Sequence, residues 1–100
     1  MPEVRILYWR DIPAQVIVGE GRAAAKAQLS HRFEEAIDAC VLRGRDAEAY
    51  RAEWRPGEAY VVDGDAVEIA AVEVERIEFA FPAEAVRALV ANEGWAEPRA

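Results

Sequence analysis

The clearest feature of the sequence is an apolar stripe that repeats every three or four residues between positions 30 and 43. Its members share one face of a 3.6-residue period: Phe33, Ala36, Ile37, Cys40 and Val41. Ser30 stands where a side-chain oxygen can cap the first helical turn, and Gly44 follows where a left-handed residue often ends a helix. The pattern therefore predicts a helix over residues 30–43.

The N-terminal third has the residue pattern of β-strands. Residues 4–10 are rich in β-branched and aromatic side chains, which predicts a first strand. Pro13 interrupts it because proline lacks an amide hydrogen, and residues 14–18 form the second predicted strand. The Gly-Glu-Gly sequence at 19–21 signals a turn. The alanines of residues 23–29 favour a helix by propensity, but their place after the turn predicts a third strand that completes a hairpin.

A second, short helix is predicted over residues 46–53. Asp46 is its expected N-terminal cap, because a carboxylate can accept a free amide of the first turn. The Arg-Pro-Gly sequence at 55–57 ends the segment. Its apolar contacts are expected from Ala49, Tyr50 and Trp54.

Residues 60–81 allow two interpretations. A helix capped by Asp65 would have one apolar stripe as far as Arg76, followed by an extended segment over residues 76–81. Alternatively, the Asp-Gly pair at 63–64 would connect a hairpin with strands at 60–62 and 66–69. A strand through this region would mix charged residues into its apolar face, so the pattern favours the helix.

The C-terminal part predicts one more helix. Pro82 opens it at a favoured first position and Gly94 closes it, while residues 95–100 form a predicted loose tail. Its apolar stripe consists of Val86, Leu89 and Val90. The sequence thus predicts an α+β fold, in which a small N-terminal antiparallel sheet of two or three strands packs against three or four helices. Residues 1–94 would form a single domain.

Composition narrows the possible partners. The chain of 100 residues carries 19 acidic and 12 basic side chains, a formal net charge of −7. Binding to nucleic acids or to anionic membranes depends on lysine and arginine, so neither is expected. The N-terminus lacks a long apolar run, and the single cysteine cannot form an internal disulfide. A cytoplasmic location is therefore predicted.

No residue set predicts a catalytic or cofactor site. The chain has one histidine and one cysteine, too few for a Cys/His metal site, so neither a metal nor a cofactor is predicted. His31 is expected to pair with Glu35 one helical turn away, and Cys40 lies on the apolar stripe. The acidic pairs fall at turns or on solvated faces. These observations favour a protein that is not an enzyme.

The most distinctive residues are two Trp-Arg pairs with neighbouring polar and aromatic side chains. Arginine and tryptophan are enriched at the centres of protein interfaces. If the second helix folds back onto the sheet, the two pairs would meet and form a binding surface for a partner protein. Alternatively, the tryptophans are core anchors and the arginines form structural bridges to Asp11 or Asp46. We call the six predicted binding residues the Trp–Arg surface: Trp9, Arg10, Asp11, Tyr50, Trp54 and Arg55.

Three segments give the chain a family resemblance. They are YWRDIPAQV at 8–16, LSHRFEEAIDACVLRG at 29–44 and DAEAYRAEWR at 46–55. Together they resemble the virulence factor domain family, in particular the short stand-alone bacterial form of the domain found at the end of conserved virulence factor C proteins. The resemblance covers roughly residues 3–92. Cys-Val-Leu at 40–42 replaces an Ala-Met of the family pattern, a conservative change on the apolar face.

The resemblance implies no catalytic residues, since the family has none established. It implies an accessory role, because stand-alone members tend to occur beside tetrahydrofolate- and corrinoid-linked one-carbon enzymes. The first hypothesis is therefore a non-catalytic module that binds a partner protein through the Trp–Arg surface. The second is a small subunit or accessory factor of a folate- or corrinoid-linked methyl-transfer system. A homodimer is a third possibility, because a short sheet and apolar helices can self-associate.

Overall fold

The computed structural model describes residues 2–44 and 47–97. Five strands and four helices follow one another along these residues. The strands are β1 (Glu3–Trp9), β2 (Ile12–Val18), β3 (Ala25–Gln28), β4 (Trp54–Pro56) and β5 (Tyr60–Val61). The helices are α1 (His31–Gly44), α2 (Ala47–Ala52), α3 (Ala66–Ala80) and α4 (Ala83–Ala91). The predicted α+β class is confirmed, with more strands than the two or three expected.

The sheet is antiparallel and β1 lies inside it. Its order is β3-β2-β1-β4, and β5 also pairs with the start of β1, beside β4. Cross-strand neighbours place Ile6 opposite Val16, and Val16 opposite Ala27. Val4 and Ile6 lie on one face of β1 and Trp9 on the other, yet all three are buried. The sheet is therefore covered on both faces where β1 ends.

Two strand predictions need correction at their ends. Pro13 does not interrupt the sheet, because β2 already begins at Ile12. The β1–β2 register shifts between Leu7 and Tyr8, and Tyr8 faces Pro13 just beyond the shift. Such an irregularity accommodates a proline because the ladder is locally disrupted there. The predicted third strand is confirmed as β3, and residues 21–23 before it form a 3-10 turn.

The short helix predicted over residues 46–53 is confirmed as α2, but the residues after it were predicted only as a helix end and not as a strand. Helix α2 ends at Ala52, and Trp54–Pro56 instead pairs with the end of β1. Strands of three and two residues are too short to show an alternating pattern. The pairing depends on the free edge of β1, which is remote in sequence. Asp46, the predicted cap of this helix, lies outside the described residues.

Helix α3 is confirmed, and the hairpin with strands at 60–62 and 66–69 is wrong, although Tyr60–Val61 forms strand β5. Asp65 caps the helix, its side chain accepting a hydrogen bond from the Glu68 amide at 3.2 Å. The helix continues to Ala80, so the extended segment predicted for 76–81 is also wrong. Within the helix, Arg76 pairs with Glu73 one turn earlier, at 2.6 Å, and this spacing supports helical rather than extended backbone.

Arg32 joins α1 to the end of α3. Its Nη2 atom donates to the carbonyl oxygens of Glu78 and Phe81, both at 2.9 Å. The Ser30 hydroxyl donates to Glu78 Oε1 at 2.8 Å, rather than making the capping bond predicted within α1. Phe33 meets Phe81 edge to face with 6.3 Å between ring centroids. The two Arg32 bonds satisfy the Glu78 and Phe81 carbonyls, which are left free where α3 ends.

The remaining layers follow from the apolar stripes. Helix α3 packs on β2 and β3, while α1 contacts β2 and packs along α4. The stripe predicted for α1 is buried at Phe33, Ala36, Ile37 and Cys40. Gly44 still belongs to this helix and does not have the left-handed backbone predicted for it. Gly94 does, with φ +93°, beyond the end of α4.

We predict that Phe33→Ala lowers the free energy of unfolding by about 3–5 kcal/mol, because it leaves a cavity that the core cannot refill. Leu42→Ala, at an exposed position of the same helix, is the matched control and changes stability by less than about 0.5 kcal/mol. Urea unfolding followed by circular dichroism measures both variants. Similar losses in the two would contradict the core position of Phe33.

Candidate functional site

The pairing of β4 with β1 brings the two Trp-Arg pairs together. In this register Trp9 lies opposite Trp54, and Tyr8 lies opposite Arg55. Successive side chains on a strand point to opposite faces, so Trp54 and Arg55 occupy different faces of β4. The six residues of the Trp–Arg surface therefore surround one edge of the sheet rather than forming one flat patch.

Trp9 is the internal member of the group. It has no exposed surface, and its indole Nε1 donates to the Ala49 carbonyl at 3.1 Å. This bond satisfies the only polar atom of the ring and ties α2 to β1. The expectation that Trp9 lies on the binding surface is therefore corrected. Its position agrees with the alternative in which this tryptophan is a core anchor.

Arg10 occupies the turn between β1 and β2 and binds the end of the chain. Its backbone is left-handed, with φ 54°, which is uncommon for a residue with a side chain. The guanidinium lies over the rings of Trp9 and Trp95, with Cζ 4.7 and 5.3 Å from their centroids. Its Nη1 donates to the Glu93 carbonyl at 2.6 Å. Arg10 thus links the hairpin to the segment after α4.

Asp11 receives contacts from β4 and from the C-terminal segment. Its Oδ1 lies 2.8 Å from Arg55 Nη2, and its Oδ2 accepts the amide of Ala96 at 2.7 Å. The Arg55 guanidinium also covers the ring of Tyr8, with Cζ 4.8 Å from the centroid. The predicted bridge from Arg55 to Asp11 is thus present. Because Arg55 is 49% exposed, the ion pair alone contributes little to stability.

The first two residues of the predicted tail are ordered by these contacts. Trp95 is half-buried and stacks with Arg10, and Ala96 binds Asp11. They are therefore not loose, whereas residues 98–100 lie outside the described residues. Neither Trp95 nor Tyr8 was predicted as part of the site. Tyr8 is next to Trp9 in the sequence, whereas nothing local indicated Trp95.

Tyr50 and Trp54 form the apolar side of the site. Their rings meet edge to face with 5.8 Å between centroids. Together with Leu7, Phe33 and Ile37 they line a cavity of about 220 Å³ between the sheet and α1. Tyr50 is exposed and Trp54 is half-buried. The cavity lies beside this ring pair.

Cys40 and His31, the other residues considered for chemistry, make contacts within the protein. Cys40 is buried, and burial raises the pKa of its thiol against the opposing charges of Arg10 and Arg43. It behaves as a small apolar residue, because the thiolate is disfavoured there. His31 lies 3.2 Å from Glu35, as predicted. Among residues 2–44 and 47–97, no three His, Cys, Asp or Glu side chains converge on a possible metal position.

A second polar cluster, not predicted from the sequence, joins β5 to α3. The Tyr60 hydroxyl and the Arg76 guanidinium both donate to Glu73 Oε2. Burial of the Glu73 carboxylate raises its pKa, but the hydrogen bonds from Arg76 and Tyr60 outweigh this effect and lower the pKa overall. The spacing of Glu73 and Arg76 was a usable signal for their pair, whereas nothing local indicated Tyr60.

Comparison with known proteins places the chain in one family. The model of the Virulence factor family matches residues 7–90, which is most of the sequence. The chain therefore belongs to the Virulence factor family, as its three sequence segments had indicated. Searches of the curated proteins and of the solved structures returned no match. In the part of the chain that the structure describes, no helix has the length and apolar character needed to cross a bilayer.

We predict that Gly94→Ala destabilises the protein by about 2–4 kcal/mol, because it combines an unfavourable left-handed backbone with overpacking. A Cβ atom there would lie 3.0 Å from Trp9 Cζ3 and 3.2 Å from Arg10 Cδ. Gly44→Ala is the matched control, since no atom of residues 2–44 and 47–97 outside its own helical neighbourhood lies within 4 Å of its added Cβ atom. This control gains up to about 1 kcal/mol, as expected for alanine in a helix. Thermal unfolding of both variants measures the difference, and a neutral Gly94→Ala would contradict the close packing.

We also predict a pH-dependent contribution from Glu73. A carboxyl whose pKa is lower in the folded state adds stability above its ordinary pKa of 4.5 and loses it as the pH falls through the folded value. Glu73→Gln should therefore be less stable than the native chain at neutral pH, and the difference should shrink on acidification below pH 4.5. Urea unfolding across this range measures it, with exposed Glu58→Gln as control. A constant difference would contradict the linkage.

Proposed function

We propose that this protein is a non-catalytic accessory domain that binds a partner protein at the β4 edge of its sheet. The observation that carries the proposal is the Tyr50–Trp54 ring pair, in which Tyr50 is exposed, beside an open cavity lined by apolar and polar side chains. In this proposal Tyr50, Trp54 and Arg55 touch the partner directly. The buried Trp9 packs under this surface, and Arg10 and Asp11 hold the β1–β2 turn in place next to β4.

The side chains at this edge suit recognition of a protein. Tyrosine and tryptophan offer large contact areas while losing little conformational entropy, and arginine adds directional hydrogen bonds. The cavity beside Tyr50 and Trp54 is large enough to receive one apolar side chain of a partner. Arg55 keeps half of its surface exposed although it is paired with Asp11, so its remaining donors are available.

Rigid support strengthens this proposal. Trp9, Arg10 and Asp11 are held by hydrogen bonds to Ala49, Glu93 and Ala96. A surface that is already ordered loses less entropy when it binds, so more of the contact energy appears as affinity. The second hypothesis, an accessory factor in folate- or corrinoid-linked methyl transfer, rests on the family resemblance alone and stays a prediction.

The test is affinity capture from extracts of cells that naturally contain the chain. We expect Tyr50→Ala/Arg55→Ala to lose at least one captured protein that the native chain retains, with affinity reduced about tenfold or more per contact residue. Arg22→Ala, at an exposed arginine of the 3-10 turn, is the matched control and keeps that protein.

Circular dichroism and thermal unfolding of the double variant separate lost binding from lost folding. A folded double variant that keeps every partner of the native chain would show that the β4 edge is not the binding surface. The identity of the captured protein then discriminates between the two hypotheses, since a folate- or corrinoid-dependent enzyme supports the second.

A further inference from the structure

A groove between α1 and α4 is not explained by the features described so far. It has a volume of about 550 Å³ and is open to solvent. Small apolar side chains on both helices line it, which keeps the cavity open along the helix contact: Ala36, Ala39, Ala83, Val86 and Val90. The groove shares no residue with the Trp–Arg surface, so the proposed function leaves it unassigned.

Arginines surround this groove although the chain as a whole is acidic. Arg43 and Arg87 are exposed at its lining and form no ion pair within residues 2–44 and 47–97. Arg32 also lines the groove, but it is bound to Glu78 at 2.8 Å. Among the described residues, Glu35 is the one acidic residue in the lining of this groove, and it lies 3.2 Å from His31. The two unpaired guanidinium groups favour an occupant that carries carboxylates next to an apolar group.

The outer face of α3 has this combination. Phe79 is 91% exposed, and Val72 lies two turns earlier on the same face and is also exposed. Glu75 lies between them, since residues three and four apart are neighbours on a helix surface. A large aromatic side chain left almost completely in water beside a second apolar residue is typical of an interaction site.

The exposed phenylalanine and the groove lie close together on the molecule. Three residues separate Phe79 from Ala83, which lines the groove. Arg32 lines the groove and also binds the carbonyls of Glu78 and Phe81, which come before and after Phe79 in the sequence. In an interface with a two-fold axis, each copy contributes the same patch and receives it from the other. A chain that carries both the projecting Phe79 and a groove near it meets this requirement, because each copy can insert its phenylalanine into the groove of the other.

We propose that the groove between α1 and α4 receives Phe79 of a second copy of this chain, which forms a two-fold homodimer. Phe79 enters the apolar floor, and Glu75 approaches Arg43 or Arg87 at the groove. A second copy suits this groove because one chain carries both the exposed stripe with Phe79 and Glu75 and the apolar groove with Arg43 and Arg87. The contact removes the exposed phenylalanine from water and pairs charges that are otherwise unpaired.

The test is sedimentation equilibrium of the purified chain from micromolar to millimolar concentration. We expect a monomer–dimer equilibrium for the native chain. Phe79→Asp should weaken the dimer about 30-fold or more, as expected for loss of a central interface residue. Val67→Asp is the matched control, because Val67 is exposed on another side of the same helix, and it should leave the equilibrium unchanged.

A second variant tests the groove itself. Ala39→Trp fills the floor and should abolish the dimer, whereas Asp38→Trp, at the neighbouring exposed position, should not. Circular dichroism and thermal unfolding establish that all four variants are folded. A native chain that stays monomeric at every concentration overturns the proposal and leaves the groove to a different protein. A dimer that survives Phe79→Asp or Ala39→Trp, or that is lost in either control, also overturns it.

Discussion

The burial of the Trp9 indole is the constraint on which most of the structure depends. Trp9 ends the inner strand of the sheet, donates to Ala49 in α2 and touches Gly94 after α4. Three segments separated by about forty residues each thus meet at one side chain. A fully buried aromatic side chain of this size contributes several kcal/mol, so each segment is stable mainly in the presence of the other two.

The polar residues of the candidate site are arranged by the same constraint. Arg10 has a left-handed backbone in the turn after Trp9, and its guanidinium covers the indole. Asp11 then lies within reach of Arg55 on β4 and of Ala96 in the C-terminal segment. Trp9, Arg10 and Asp11 are thus held by contacts within the protein, whereas Tyr50 and Arg55 are exposed to solvent. In the proposed function, the binding role and the structural role therefore fall to different members of one cluster.

Local patterns predicted the parts of the fold that depend on local interactions. The stripe of α1 and the Asp65 cap of α3 were recognisable, because a helix shows its buried face every few residues. Strand β4 was not, since three residues such as Trp54–Pro56 carry no periodicity. The burial of Trp9 agrees with one of the two alternatives for the tryptophans, and the local pattern could not decide between them. Alternation along β1 indicates one buried face, but which helices cover the second face is decided by residues more than thirty positions away.

The segment recognised by the family model is smaller than the unit that folds. The match covers residues 7–90, whereas β1 begins at Glu3 and pairs there with β5, and Val4 and Ile6 are core residues. At the other end, Glu93, Gly94 and Ala96 bind the hairpin beyond the matched range. A fragment trimmed to the matched residues would lose about half of strand β1. It would also lose the contacts of Glu93 and Ala96 with the β1–β2 hairpin. In this chain, the residues on both sides of the matched range therefore belong to the fold and do not act as a linker.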